Sequence, residues 1–239
     1  MPVPNATAAR PEEIRRMFAA VSRRYDAFNS INSFGIHRRW RRALVRYSGA
    51  RPGDRILDCA TGTGDLAFAF ERELGPQSRI IGVDFCGEML GVAGRKARKR
   101  ASHVRFERAD VLNLPFRTAS FDAAAIAFGI RNIPDITGAI REMARVVRSG
   151  GRVTVLEFGR PGNRCLALAV SAYFRWFVSG ISGVFTGNRR AYRYLETSTA
   201  RFDTGRELVE ACRASDAFRE VEIRPLTLGM VYLYRLTVR

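Results

Sequence analysis

The chain has little from which to build a metal site or a disulfide framework. Its four cysteines, Cys59, Cys86, Cys165 and Cys212, stand singly with no Cys-x-x-Cys pair, and only His37 and His103 could join them around an ion. That spacing argues against both zinc and disulfides, and no metal is expected. Lysine is almost missing: it occurs only at Lys96 and Lys99, so 38 of the 40 basic residues are arginine. Acidic residues number 23, which leaves a formal net charge of +17. A long uncharged apolar run is also lacking. The greasiest stretch, 166–185, has Arg175 at its middle and is diluted by Ser171, Ser179, Gly180, Ser182 and Gly183. A central charge costs about 2.5–3.5 kcal/mol in a bilayer, so this stretch reads as cover for an apolar cleft or as core. Residues 1–9 lack the apolar centre of a secretory signal, and a cytoplasmic location is expected.

The positive charge is spread along the chain and has two readings. One is a solvated, arginine-rich surface; the other is attraction to a polyanion, either nucleic acid or the anionic inner face of a membrane. Charge alone does not choose between them. With 239 residues and 46% hydrophobic content, the chain can bury one sizeable core, and one domain is expected.

Three stretches divide that domain: an N-terminal cap at 1–50, a ligand-binding core at 51–160 and a cover with the last strands at 161–239. Within the first, Ile14, Met17, Phe18, Val21, Tyr25 and Phe28 share one helical face and Arg15, Arg16, Arg23 and Arg24 the other, which predicts an amphipathic helix over 12–29. In the core, strand-like runs at 56–58, 79–84, 104–107, 123–128 and 152–157 alternate with helical patterns. That order predicts an α/β fold with a doubly wound, mostly parallel sheet and helices on both faces. A helix is expected over 205–215, then strands at 220–224 and 230–238.

The sharpest motif lies at 55–67, where an apolar strand ending in Asp58 runs into Gly62, Thr63 and Gly64. Glycines there permit a tight turn and close approach of backbone to a ligand. The pattern also meets a loose dinucleotide fingerprint, but Asp58 and Asp65 place negative charge where a pyrophosphate needs bare amides. A ligand carrying an ammonium and a sulfonium is better served. Asp84 ends the next strand, about twenty residues on, where a carboxylate accepts from ribose hydroxyls. Asp110 follows the third strand and can accept from an adenine amine, while the Val111 amide donates to a ring nitrogen. Any one of these aspartates could be a turn residue; three at successive strand ends point to an adenosine site.

Beyond these motifs the chain resembles the ubiquinone/menaquinone biosynthesis C-methyltransferases, within the class I S-adenosylmethionine-dependent methyltransferases. The likeness is carried by Met17-Phe18, Tyr25-Asp26, Asn29, Gly35-Ile36-His37-Arg38, Trp40, the glycine loop, Leu114-Pro115-Phe116, Phe128-Gly129-Ile130-Arg131-Asn132, the 150–158 string and Tyr192 with Tyr194. It implies a Rossmann-like fold with an antiparallel C-terminal strand, S-adenosyl-L-methionine as cofactor, and cofactor contacts at Thr63, Asp84, Asp110, Val111 and Ala127. Some family members have serine where this chain has Ala127. Phe202-Asp203 and Leu195-Glu196 stand where Phe-Pro and Leu-Pro are usual.

The resemblance implies methylation of a polyprenyl quinol ring, with demethylmenaquinol favoured and a 2-polyprenyl-6-methoxy-1,4-benzoquinol open. A quinol hydroxyl must lose a proton while the adjacent carbon lies in line with the sulfonium methyl. Arg131, Tyr25, His37 and Asn132 are the catalytic candidates. Arg131 suits stabilisation of a phenolate, since its pKa forbids proton abstraction. Tyr25 shares an apolar face and reads more readily as core; His37 sits among Arg38, Arg39, Arg41 and Arg42 and reads equally as a solvated surface histidine. The basic helix and apolar cover suggest peripheral contact with an anionic membrane. Nucleic-acid methylation, the runner-up because of the charge, is demoted because neither an Asn/Asp-Pro-Pro-aromatic string nor a Pro-Cys nucleophile is present; nucleic acid is not an expected partner, and RNA is kept only as an alternative acceptor. Another lipophilic acceptor, or a non-catalytic binder on the same fold, remains open.

Overall fold

The computed structural model describes Glu12, Arg15, Arg16, Ala19, Ser22 and residues 35–159 and 206–239. The predicted N-terminal helix is helical at Glu12, Arg15, Arg16 and Ala19. Tyr25, Asn29, the 166–185 stretch and the 191–203 motifs lie outside the described residues.

Elements run in the order α1 (Ile36–Ser48), β1 (Arg55–Cys59), α2 (Asp65–Leu74), β2 (Arg79–Asp84), α3 (Gly87–Lys99), β3 (Arg105–Arg108), β4 (Phe121–Ala127), a 3-10 turn at Ile130–Asn132 and α4 (Ile136–Val146). They continue with β5 (Val147–Phe158), α5 (Arg206–Ser215), β6 (Phe218–Leu226), a second 3-10 turn at Thr227–Gly229 and β7 (Val231–Val238). The seven strands form one sheet in the order β3-β2-β1-β4-β5-β7-β6. β1 through β5 are mutually parallel, and β7 runs antiparallel between β5 and β6. This is the Rossmann-like arrangement of S-adenosylmethionine-dependent methyltransferases, with the expected antiparallel C-terminal strand. The chain winds from β1 out to β3 and then returns to β4 on the other side of β1. The crevice at the carboxyl ends of β1 and β4 is therefore the topological switch point, where open sheets bind ligands.

The central strands are short and apolar because both faces are covered. On one face Leu57, Ile126, Val153 and Val155 pack with Ile140 and Met143 of α4 and Leu208 of α5; on the other, Ile56, Ala125 and Leu156 pack with Leu44 of α1 and Phe70 of α2. The structure lengthens β5 beyond the predicted 152–157. Val147 already pairs with Phe121, and the ladder resumes only at Ala123 and Arg152. The intervening Ser149-Gly150-Gly151 reads as a break in sequence but is a bulge, with Gly150 at φ 72°. β3 is displaced by one residue from the predicted 104–107, since Val104 turns inward to the core while the ladder begins at Arg105.

Among the described residues, no helix is long and apolar enough to cross a membrane. Cys59, Cys86 and Cys212 are buried free thiols.

Candidate active site

The loop after β1 is tightly wound. Ala60, Gly62 and Gly64 all have positive φ, at 49°, 57° and 84°. Gly64 caps α2, and its amide donates to the Thr61 carbonyl at 2.9 Å. A Cβ on Gly64 would come within 2.7 Å of Phe106, whereas one on Gly62 would meet nothing within 4 Å. Gly64 is therefore demanded by packing. Gly62 leaves its side of the loop open to a ligand.

Asp58, at the end of β1, is 1% exposed. Its Oδ2 accepts from the Thr61 hydroxyl at 2.6 Å, while Oδ1 is buried with no hydrogen-bond donor among the described residues. Burial pushes its pKa up to about 7, against the opposing pull of the Thr61 hydroxyl and the Ala67 amide. A buried, half-satisfied carboxylate is costly unless a cationic group meets it.

Asp65 differs from the sequence expectation. It heads α2 and is held by Lys96 Nζ at 2.5 Å and Arg41 at 3.5 Å. These cations hold its carboxyl below the usual range in spite of burial. The negative charge that Asp65 was expected to offer a ligand is thus already met from α1 and α3. Lys96 also donates to Thr63 Oγ1 at 3.3 Å, so the Thr63 hydroxyl faces α3.

Asp84 is built into the same loop from the neighbouring strand. Its Oδ2 accepts the Gly62 amide and its Oδ1 the Cys86 amide, both at 2.8 Å. Burial raises its pKa, while those amides pull it back. Each oxygen keeps a second lone pair for a hydroxyl. Asp110 is exposed and accepts the Leu112 amide at 3.0 Å, so it also fastens its own turn; Val111 is buried beside it. Ala127 ends β4 across the crevice, followed by Phe128 at φ 58°.

Beyond β4, Arg131 turns back toward β5. Its Nη1 donates to Glu157 Oε1 at 2.5 Å and to the Phe128 carbonyl at 3.0 Å, and its guanidinium lies 5.3 Å from the Phe158 ring centroid. The side chains of this pair are 4% and 0% exposed, and Arg131 Nε and Glu157 Oε2 have no hydrogen-bond partner among the described residues. Arg131 is therefore a locked group whose charge is met by Glu157 within the protein. Asn132 is half-buried in the 3-10 turn, its amide donating to the Gly129 carbonyl.

His37 corrects the surface reading. It is 5% exposed in the first turn of α1. The missed signal is helical spacing: His37, Trp40, Leu44 and Ser48 are all buried along one face. Trp40 leads to a second feature that sequence reading overlooked. Its ring lies 6.0 Å from Phe128 and 6.3 Å from Phe158, which are themselves 4.7 Å apart. An aromatic wall thus stands beside Ala127 at the ends of β4 and β5.

Comparison with known proteins places this geometry. The model of the ubiE/COQ5 methyltransferase family matches residues 6–237. The chain is 44% identical over 229 residues to the ubiquinone/menaquinone biosynthesis C-methyltransferase of Bdellovibrio bacteriovorus, covering 96% of this chain and 97% of that one. It is 41% identical to the demethylmenaquinone methyltransferase of Thermus thermophilus, covering 91% and 98%. Among solved structures, a SAM-dependent methyltransferase from Aquifex aeolicus superposes with a TM-score of 0.60 at 13% identity, covering 83% of this chain and 89% of that one, which speaks to the fold alone. With a family match over nearly the whole chain, the chain belongs to the ubiE/COQ5 methyltransferase family.

Proposed function

We propose that the protein methylates a ring carbon of a reduced polyprenyl quinone precursor, demethylmenaquinol in the first place and a polyprenyl methoxybenzoquinol as the alternative acceptor. The observation that carries this reading is the aromatic wall of Trp40, Phe128 and Phe158 beside the glycine-loop crevice, in a chain whose relatives are named for quinone C-methylation. A flat, apolar ring fits such a wall, and aromatic surfaces hold it edge-to-face or offset.

S-adenosylmethionine is the methyl donor, and when bound it supplies an electrophilic methyl on a sulfonium. Asp58 suits the cationic end of that molecule, because its buried Oδ1 lacks a donor of its own. Gly62 and Gly64 give the backbone clearance, and Asp84 accepts ribose hydroxyls on the lone pairs that Gly62 and Cys86 leave over. Asp110 and the Val111 amide take the adenine edge, with Thr63 and Ala127 as flanking contacts.

The acceptor asks for loss of a hydroxyl proton before its neighbouring carbon can attack. Arg131 cannot take that proton, but a guanidinium fixed by Glu157 and the Phe128 carbonyl presents an oriented N–H dipole toward a developing phenolate at no reorganisation cost. Tyr25, His37 and Asn132 complete the proposed set around the hydroxyl. The protein works as a cytoplasmic enzyme in peripheral contact with an anionic membrane, which is where polyprenyl quinols reside.

The test is anaerobic incubation with S-adenosylmethionine and each reduced quinol, read by mass spectrometry for one added methyl. Methylation of either names the acceptor. Bound cofactor without methylation of either overturns the quinol reading.

A further inference from the structure

We propose that the arginine-lined groove between α1 and the β6–β7 edge, with Leu228 at its rim, is the face that docks on an anionic phospholipid bilayer. This rests on the membrane contact suggested above and deepens it by naming the surface that makes it. Arg39, Arg42 and Arg46 fall at i, i+3 and i+7 of α1 and so project from one face. Arg224 of β6 and Arg235 of β7 close the opposite side, around a cavity of about 490 Å³. Arg46 pairs with Glu73 and Arg235 with Glu222. Arg39, Arg42 and Arg224 are exposed and have no carboxylate within ion-pair distance among the described residues. Three uncompensated guanidiniums at one opening are complementary to a layer of phosphodiester headgroups, and guanidinium binds phosphate through two parallel hydrogen bonds.

The groove is not purely polar. Tyr47 and Leu226 line it as well, and the Arg235 guanidinium lies 4.7 Å from the Tyr47 ring centroid. Two residues beyond Leu226, Leu228 is 77% exposed and held at φ 57°. A β-turn residue in that conformation is cheapest as glycine; here a large apolar side chain is presented instead. The turn that carries it is fastened on two sides. Trp40 Nε1 donates to Thr227 Oγ1 at 2.8 Å, and the Met230 amide donates to the Thr227 carbonyl at 3.1 Å. An isolated exposed leucine is ordinary, but one fixed beside a basic patch supplies the two weak signals, apolar insertion and charge, that together make a reversible membrane anchor. Trp40 also belongs to the aromatic wall and so ties that wall to the turn that carries Leu228.

The experiment is co-sedimentation of the full chain at low salt with phosphatidylglycerol/phosphatidylcholine vesicles and with phosphatidylcholine alone. The proposal expects binding to the anionic vesicles only. Each arginine near such a surface contributes on the order of fivefold, so Arg39→Gln/Arg42→Gln/Arg224→Gln should lose tenfold or more, and Leu228→Ser should lose a further severalfold. The matching lysine triple keeps the charge and should retain most of the binding. A control triple, Arg51→Gln/Arg79→Gln/Arg105→Gln, removes the same charge in the loop before β1 and at the amino ends of β2 and β3, and should bind as the parent does. Equal loss in the two glutamine triples, or no loss in the groove triple, overturns the proposal. So does release from vesicles by inorganic phosphate at matched ionic strength, which would mark a small-anion site. Capture of an RNA oligonucleotide that only the groove triple abolishes, without vesicle binding, would assign the groove to nucleic acid. Methylation of a soluble short-tailed quinol is measured alongside: both triples should match the parent. If the parent binds anionic vesicles but methylates no quinol, the docking face stands and the acceptor assignment falls.

Discussion

Asp84 Oδ2 accepts the Gly62 amide at 2.8 Å, so the carboxylate at the end of β2 braces the glycine loop that follows β1. The same group thus has two tasks: it shapes the loop and offers its remaining lone pairs to a ribose. Asp84→Asn replaces one accepting oxygen by a carboxamide NH2, which must face either the Gly62 or the Cys86 amide, donor against donor. Charge-assisted hydrogen bonds contribute about 1.5–3 kcal/mol, so the variant should bind S-adenosylmethionine at least tenfold more weakly and melt at a lower temperature. Calorimetric titration and a thermal melt read the two effects. An unchanged melt with lost affinity would mean that the brace is dispensable.

Asp58 should make cofactor binding depend on pH. Its folded-state pKa of about 7 lies above the unfolded value, so the stability gained by keeping it protonated is complete below about pH 4 and is lost as pH rises to about 7. Meeting a cationic ligand requires the ionised form. Affinity for S-adenosylmethionine should therefore rise from pH 5 to pH 7, by up to about tenfold per unit, and level off above. Asp58→Asn should bind weakly with a flat profile across that window, and its cofactor-free form should be less sensitive to pH in a melt. A parent profile as flat as that of the variant would remove Asp58 from cofactor binding.

Much of this site is visible in the chain because strands that end at a crevice end in a recognisable way. Apolar runs stopping at Asp58 and Asp84, a glycine loop between them and Asp110 after β3 are local signals, each contained within a few residues. The ion pairs are not local. Lys96 reaches Asp65 across 31 residues and Arg131 reaches Glu157 across 26, and no periodicity joins such partners before the sheet is assembled. For that reason the partners of Asp65 and Arg131 are not legible in the sequence and appear only in the fold. His37 is a different failure. Its flanking arginines suggest solvent, while the spacing to Trp40 and Leu44 places it on the buried face of α1.

The two loop glycines should separate stability from binding. Gly64→Ala brings a Cβ to within 2.7 Å of Phe106 and 2.9 Å of Phe68 at φ 84°, adding a packing clash to backbone strain. Gly62→Ala meets open space and bears only the left-handed strain, roughly 1–2 kcal/mol. Chemical denaturation should show the larger loss in Gly64→Ala. Isothermal titration should show that Gly62→Ala, though better folded, loses cofactor affinity because its methyl intrudes on the open side of the loop. Full affinity in Gly62→Ala would place the ligand elsewhere.

The Arg131–Glu157 pair offers the sharpest division between structure and chemistry. Removing one member leaves the other charged and buried, which costs about 3–5 kcal/mol, so Arg131→Ala and Glu157→Ala should both be markedly destabilised. Replacing both members by uncharged residues of similar volume, Arg131→Met with Glu157→Gln, removes the stranded charge and should recover most of the stability. If the guanidinium acts on the phenolate, turnover in this double variant should stay at least a hundredfold down while S-adenosylmethionine affinity remains near that of the parent, since Arg131 is not among the proposed cofactor contacts. Unfolding curves, cofactor titration and initial rates on the same preparations decide the matter. Recovery of turnover together with stability would make Arg131 a structural residue and move the search for the electrostatic partner to Tyr25, His37 and Asn132.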